Sequence, residues 1–580
     1  MPYATRRTVV TWKLAGMVVL VALATASTGP AAATGISEVH SIGTTPQVQF
    51  AGTLRVLSPN PRYFTDDGAR AIYLTGSHNW VNFKDYGVND PPPAFNYTAF
   101  LTFLQNHNHN FFRLWSWELP HSTLGARGEM WYRTPFPWLR TGPGTATDGK
   151  PKFDLTRLDD AYFTRLYSRV SEAHGRGMYV AVMLWDGYGP QFNRSPSVDG
   201  FPYAAQNNIN GINAGGTESQ SLTNSAVTAN QEIYLRRVVE TLNGFDNVLY
   251  EIANEAGSYS TAWQYHMINR IKQIESTLPK RHPVGMTYQY SGGSVQALYD
   301  SPADWISTNE RLPMADGDKV IVNDTDHAYG WMVLVEDTPA EHQAWVWMNF
   351  MNGCNTLFMD PYLITWPGRN APSGGNPDPR WEPLRNALGR TRFYANRVQL
   401  ASMEPSGGLS STGYCLANPG AEYLVYQPGS GAFTVDVAAD TYAYEWYNPT
   451  TGVIAATGQI TAPGGDRTFT PPFGGDCVLY LRSSQVVSVP ELMPLALGHL
   501  RNPATDGRLH VTFSLPRNAP ATLEAMDVNG RRVVMREVGS LGAGRHQIEL
   551  RPEQRLSSGI YFLRLTQDGR VATARVTVLE

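Results

Sequence analysis

The stretch Asn247–Glu255, NVLYEIANE, decides how this chain is read. Its residues 248–253, VLYEIA, are apolar but for Glu251, short enough for a strand buried on both faces, and the stretch closes on the polar pair Asn254-Glu255. Working outward, similar runs occur at AIYLTG (71–76), FFRLW (111–115), MYVAVMLW (178–185), PVGMTY (283–288), DWIST (304–308), KVIVND (319–324) and TLFMD (356–360). Helical patterns lie between them, among them DDAYFTRLYSRVSEAHG (159–175) and NQEIYLRRVVETLNG (230–244). A further helix opens on Thr338-Pro339-Ala340-Glu341, which sets a cap residue, a first-turn proline and a reciprocal glutamate in order. Eight strand candidates alternating with helices predict an α/β fold, a (β/α)8 barrel, over 45–398, with a short antiparallel lead-in broken by Pro59-Asn60-Pro61 and Asp66-Asp67-Gly68.

Beyond residue 400 the helical pattern stops. YCLAN, EYLVYQP, FTVDVAA, YAYEWYNPTTG and CVLYLRS, separated by Gly, Pro and Asn turns, predict a β-sandwich over 400–485. A linker is expected at 486–496, and RLHVTFSL, GIYFLRL and VATARVTVL predict a second, immunoglobulin-like sandwich over 497–580. The sequence has 580 residues, 17% charged and 42% hydrophobic, which excludes wholesale disorder. With 46 Lys+Arg against 50 Asp+Glu, no basic excess points to nucleic acid. Arg6, Arg7 and Lys13, the apolar run LAGMVVLVALA (14–24) and the small residues Ala31-Ala32-Ala33 predict an export signal over 1–33, and so a secreted or cell-surface protein. Three cysteines give no disulfide framework; Cys415 and Cys477 are either one bridge or two buried thiols.

In such barrels chemistry gathers where the strands end. The ends read Ser77-His78-Asn79-Trp80, Arg113-Leu114-Trp115, Trp185-Asp186, Asn254-Glu255, Tyr288, Asp324-Thr325-Asp326-His327 and Asp360. Opposed carboxylates among aromatic rings suit sugar chemistry, in which one carboxyl protonates the leaving oxygen and another faces the cation-like centre. His78, Asn79, Trp80, Trp115, Trp185, Asp186 and His327 are therefore candidates to contact a carbohydrate substrate. Glu251 falls inside the strand and reads as structural. The run Asn106-His107-Asn108-His109-Asn110 lacks a third metal ligand of suitable spacing, and no metal or other cofactor is expected.

Asn254-Glu255 after the fourth strand resembles the Asn-Glu signature of the large clan of retaining (β/α)8 glycoside hydrolases. The resemblance implies that Glu255 is the acid/base, that Asn254 binds the sugar 2-hydroxyl, that Arg113 supports the nucleophile, and that Tyr288 lies near it. It also points to Asp324 as nucleophile, where the clan usually carries the longer glutamate. Asp326, on the same side of an extended segment, is the alternative. Such a pair implies carboxyls roughly 5–5.5 Å apart, an acid of raised pKa and a nucleophile of low pKa. The chain resembles more narrowly a cellulase-like subgroup that includes apiosidase-type enzymes, whose barrels are often joined to a domain labelled collagen-binding; residues 413–428 and 464–481 carry that likeness. Asn502-Pro503, Asp527–Arg531 and Ser558–Tyr561 resemble flagellar-hook-cap-like immunoglobulin tails, type IX secretion sorting tails among them, which implies contact with secretion machinery or the cell surface. The competing expectation is a binding protein, for carbohydrate or matrix, that keeps the barrel without catalysis.

Overall fold

A computed structural model describes residues 50–579 apart from 124–129, 193–198, 329–337, 362–380, 486–494, 500–503, 505–508, 517–518, 542–543, 551–555 and 569. The expected export signal, and most of the expected linker, lie outside the described residues.

Eight parallel strands form the barrel: β1 (Thr75–His78), β2 (Phe111–Leu114), β3 (Tyr179–Asp186), β4 (Val248–Asn254), β5 (Val284–Thr287), β6 (Trp305–Ser307), β7 (Val320–Asp324) and β8 (Asn355–Met359). Their order in the sheet runs β1-β8-β7-β6-β5-β4-β3-β2, each beside its neighbour in sequence. The ring closes between β1 and β2, where the Asn110 amide donates to the Thr75 carbonyl at 3.0 Å. The two chains approach so closely here that a Cβ on Gly76 would lie 2.1 Å from the Phe111 carbonyl oxygen, so only glycine fits.

The outer layer comprises α1 (Tyr97–Asn106), α2 (Asp160–Gly175), α3 (Ser225–Leu242), α4 (Thr261–Glu275), α5 (Val295–Tyr299), α6 (Pro339–Met351) and α7 (Glu382–Ala395). Every residue of β3 and β4 is buried, because the outward side chains meet helices and the inward ones fill the barrel. The capping box that opens α6 is formed: Thr338 accepts from the Glu341 amide and Glu341 accepts from the Thr338 amide.

The first strand begins four residues later than the sequence indicates. Ile72 bridges to Phe64 of the lead-in, and Ile72 and Leu74 pack with Phe50, Leu54 and Phe64 against Phe111, Leu249 and Trp305. Ile72 and Leu74 therefore plug one end of the barrel before the strand itself starts, while Tyr73 between them packs against Phe350 of α6. The segment after β2, unreadable in sequence, adds Met130–Thr134 and His121–Thr123 to Asp85–Gly87 of the segment after β1 in a small antiparallel sheet, then forms a hairpin of Trp138–Thr145 with Pro151–Leu158.

The region after the barrel is antiparallel β, in a six-stranded sheet from Glu404 to Ser483 with a two-stranded partner (Phe433–Val437 and Gly465–Phe469). Its inner face shares one core with α6 and α7, in which Trp347 of α6 stacks on Tyr426 at 5.9 Å and packs with Tyr394, Tyr447 and Tyr480. The Tyr394 hydroxyl and Arg397 both bond Glu445 at 2.7 Å. Cys354, Cys415 and Cys477 are buried free thiols, so no bridge joins the latter two. The last β-region, Ala496 to Val578, has a core of its own residues in three- and four-stranded sheets. Among the described residues no helix is long and apolar enough to cross a membrane.

Candidate active site

Arg113 is the hub of the barrel mouth. It projects from β2 and is 1% exposed. Its Nε donates to Glu251 Oε2 at 2.7 Å and its Nη2 to the other oxygen of the same carboxylate, a bidentate pair across the barrel interior to β4. Nη2 also donates to Asn254 Oδ1 at 2.7 Å. Nη1 donates to Asp324 Oδ2 at 2.9 Å and to Asp326 Oδ2 at 3.0 Å. One guanidinium thus gathers the ends of β2, β4 and β7.

Asp324 also meets His78 of β1, whose Nε2 lies 3.0 Å from Oδ2. After Asp324 the chain turns into a short helix, Thr325–Ala328, rather than staying extended as the alternation implied. Asp326 still reaches Arg113, because the turn folds its amide back onto Asp324 Oδ1 at 3.0 Å. His327 bridges Asn254 Oδ1 at 3.0 Å and the Ser307 hydroxyl at 2.9 Å. Burial, with Arg113 close by, pulls its pKa down to about 3, so the ring is neutral and donates one proton to Asn254. With two donors on its oxygen, Asn254 has its amide group fixed in orientation, and the amide nitrogen makes no hydrogen bond among the described residues.

Glu255 follows directly, half-buried, on a backbone at φ 52°, the left-handed region that an L-residue enters at a cost of about 1–3 kcal/mol. Its carbonyl accepts from the Gln191 side chain at 3.1 Å.

Three acidic groups titrate apart. Burial pushes Asp324 up, but His78 and Arg113 outweigh it and hold the carboxyl well below the ordinary range. Burial, opposed by Arg113 and reinforced by Asp324, pushes Asp326 up to about 6. Burial, and next the charges of Asp326 and Asp186, raise Glu255 well above an ordinary glutamate. Burial alone would lower Arg113, yet Glu251 and Asp324 raise it, so it stays charged.

An aromatic floor adjoins this network. Trp115 lies parallel to His78 at 5.8 Å, with the Arg113 guanidinium 5.0 Å from its ring. Trp117 follows, and Trp80 and Tyr188 pack on the same cluster with Met183 and Met359.

Other expected site residues sit elsewhere. Trp185 is buried edge-on against Trp263 of α4 and Tyr234 of α3, in the layer between barrel and helices. Tyr288 packs against that helical core, and its hydroxyl donates to the Gly293 carbonyl at 3.1 Å within its own loop. Asp186 is fully buried and accepts from the Gly189 amide at 3.0 Å, capping the turn that carries Tyr188 and Gln191. Asn79 is buried and accepts from the Val81 amide. Asp360 is paired with Arg385 of α7. His107 and His109 are bonded to Glu382 and to the Arg385 carbonyl, which explains the Asn-His run as helix packing. Sequence reading missed Glu118, which accepts from the Asp186 amide and is pushed up to about 8 by burial and Asp186. Its only signal was its place three residues beyond Trp115.

Residues 408–482 match the family described as "Putative collagen-binding domain of a collagenase", and residues 502–579 match the "Secretion system C-terminal sorting domain". Neither match reaches the barrel. No curated protein matches the chain. Among solved structures, a "putative glycoside hydrolase" from Bacteroides vulgatus aligns over 75% of this chain and 82% of its own, with a TM-score of 0.51 and 14% identity. The likeness is one of fold. A family 5 glycoside hydrolase from the same organism covers 76% of this chain and 95% of its own at a TM-score of 0.49 and 12% identity. For the endo-β-1,4-mannanase of Thermotoga petrophila the figures are 87%, 97%, 0.34 and 10%.

Proposed function

We propose that the protein is an exported glycoside hydrolase that cleaves glycosidic bonds with retention, through two carboxyl groups at the barrel mouth. The observation that carries the reading is a single buried arginine holding the strand-seven aspartates ionisable, next to a glutamate whose surroundings keep its proton. Glu255 is the acid that protonates the leaving oxygen and the base that then activates water. The Asp324/Asp326 pair supplies the opposing negative charge. Asn254, its oxygen engaged, turns its amide donor to the sugar, and the floor around Trp80 and Trp115 borders the ring. The sorting-domain match at 502–579 supports export and delivery to secretion machinery or the cell surface.

The test is hydrolysis of a panel of plant and microbial glycans by the purified protein beside Glu255→Gln, with product configuration followed by NMR. Cleavage with retained configuration that Glu255→Gln abolishes is the expected result. Binding of a glycan without cleavage would replace this reading with that of a carbohydrate-binding barrel.

A further inference from the structure

Resting on that reading, we propose that Asp326, and not Asp324, is the carboxylate that attacks the anomeric carbon, while Asp324 is a positioning residue that fixes Arg113 and His78.

The argument is one of occupied lone pairs. An ionised carboxylate offers about four acceptor sites on its two oxygens. Asp324 Oδ1 takes the Asp326 amide at 3.0 Å and has His78 Nε2 at 3.2 Å. Its Oδ2 takes Arg113 Nη1 at 2.9 Å and has the same histidine nitrogen at 3.0 Å. Both oxygens are engaged, and the side chain is 1% exposed. A nucleophile needs an oxygen with a free lone pair facing the substrate; three donors crowd both Asp324 oxygens, so attack through either would weaken a bond to Arg113, His78 or the Asp326 amide. Asp326 is bound through Oδ2 alone, to Arg113 at 3.0 Å; its Oδ1 has no hydrogen bond among the described residues, and the side chain keeps 6% exposure. The clan-like position at the strand end is thus filled by a short aspartate turned into the scaffold, and the helical turn after it brings a second aspartate to the same guanidinium.

In the reaction Asp326 Oδ1 forms a bond to the anomeric carbon as the glycosidic C–O bond breaks, and the leaving oxygen takes the proton of Glu255. Water then loses a proton to Glu255 and attacks the same carbon, releasing the sugar and restoring the Asp326 carboxylate.

The experiment uses the full mature protein and a 2-deoxy-2-fluoro glycoside, with an activated leaving group, of whichever sugar the wild type cleaves. Peptide mapping by mass spectrometry should find the fluorosugar on Asp326. In parallel, Asp326→Gly should lose hydrolysis by on the order of 10⁴-fold or more and, with azide, release a glycosyl azide of inverted configuration. Asp324→Asn should lose activity without azide rescue and with a shifted pH profile. A label on Asp324 overturns the assignment and leaves the proposed function standing; an inverted product from the wild type overturns the assignment and the retaining mechanism but not hydrolysis itself. A wild type that cleaves no glycan overturns both. The labelling arm needs no variant to fold.

Discussion

Arg113 carries one positive charge against Glu251, Asp324 and Asp326, all buried. Removing it strands three acids in a low-dielectric interior. Arg113→Met should therefore cost about 3–5 kcal/mol of stability as well as activity, read as a lowered urea midpoint. The titration order gives a second expectation. On the proposed assignment the nucleophile's carboxyl is raised, not lowered as the resemblance implied, and Asp326 must be ionised to attack, so kcat/KM should rise as pH climbs through about 6, where that carboxyl loses its proton. Glu255 must hold its proton, so the rate should fall on the alkaline side, and the raised Glu255 should put that fall well above the pH of an ordinary glutamate. A kcat/KM profile with no acid limb near pH 6 would contradict the assignment of Asp326. That Arg113, Asn254, His78 and the strand-seven aspartates would meet was legible because each stands near a strand end, where barrel geometry gathers them. Trp185 and Tyr288 stand at strand ends too, but the direction each ring takes is settled by packing against α3, α4 and a neighbouring loop, which no local pattern records.

Between elements, the loops after β3 and β4 cross beside Glu255, the proposed acid. The Gly187 amide donates to the Asn254 carbonyl at 2.7 Å, and a Cβ on Gly187 would lie 2.3 Å from the Ala256 nitrogen. Gly187→Ala should push the Asn254–Ala256 turn by a fraction of an ångström to an ångström and lower kcat/KM by about 100-fold. Thermal unfolding run alongside should show a folded protein; an unchanged kcat/KM would mean that this contact does not position Glu255. All eight strands were readable, since apolar runs of strand length recur between helical patterns. The antiparallel pieces at 85–158 were not, because burial along Trp138–Thr145 and Pro151–Leu158 does not alternate and Asp85–Gly87 pairs with a strand far along the chain.

For the molecule as a whole, α6 and α7 face two ways, toward the barrel and into the following sandwich. Trp347→Ala removes a fully buried ring from that shared core and should cost about 3–5 kcal/mol. Calorimetry should show barrel and sandwich melting in one transition, displaced together by this substitution. Two separate transitions would refute the shared core. A barrel of alternating strands and helices followed by a β-rich region was legible in the sequence, yet a boundary drawn near residue 400 conceals that the core continues across it. Anything held on the sandwich is therefore held at a fixed bearing from the cleft, with no slack for a tethered module to swing. A polymer touching both would be measured against a rigid ruler, and chains too short to span the interval would gain nothing from the second hold.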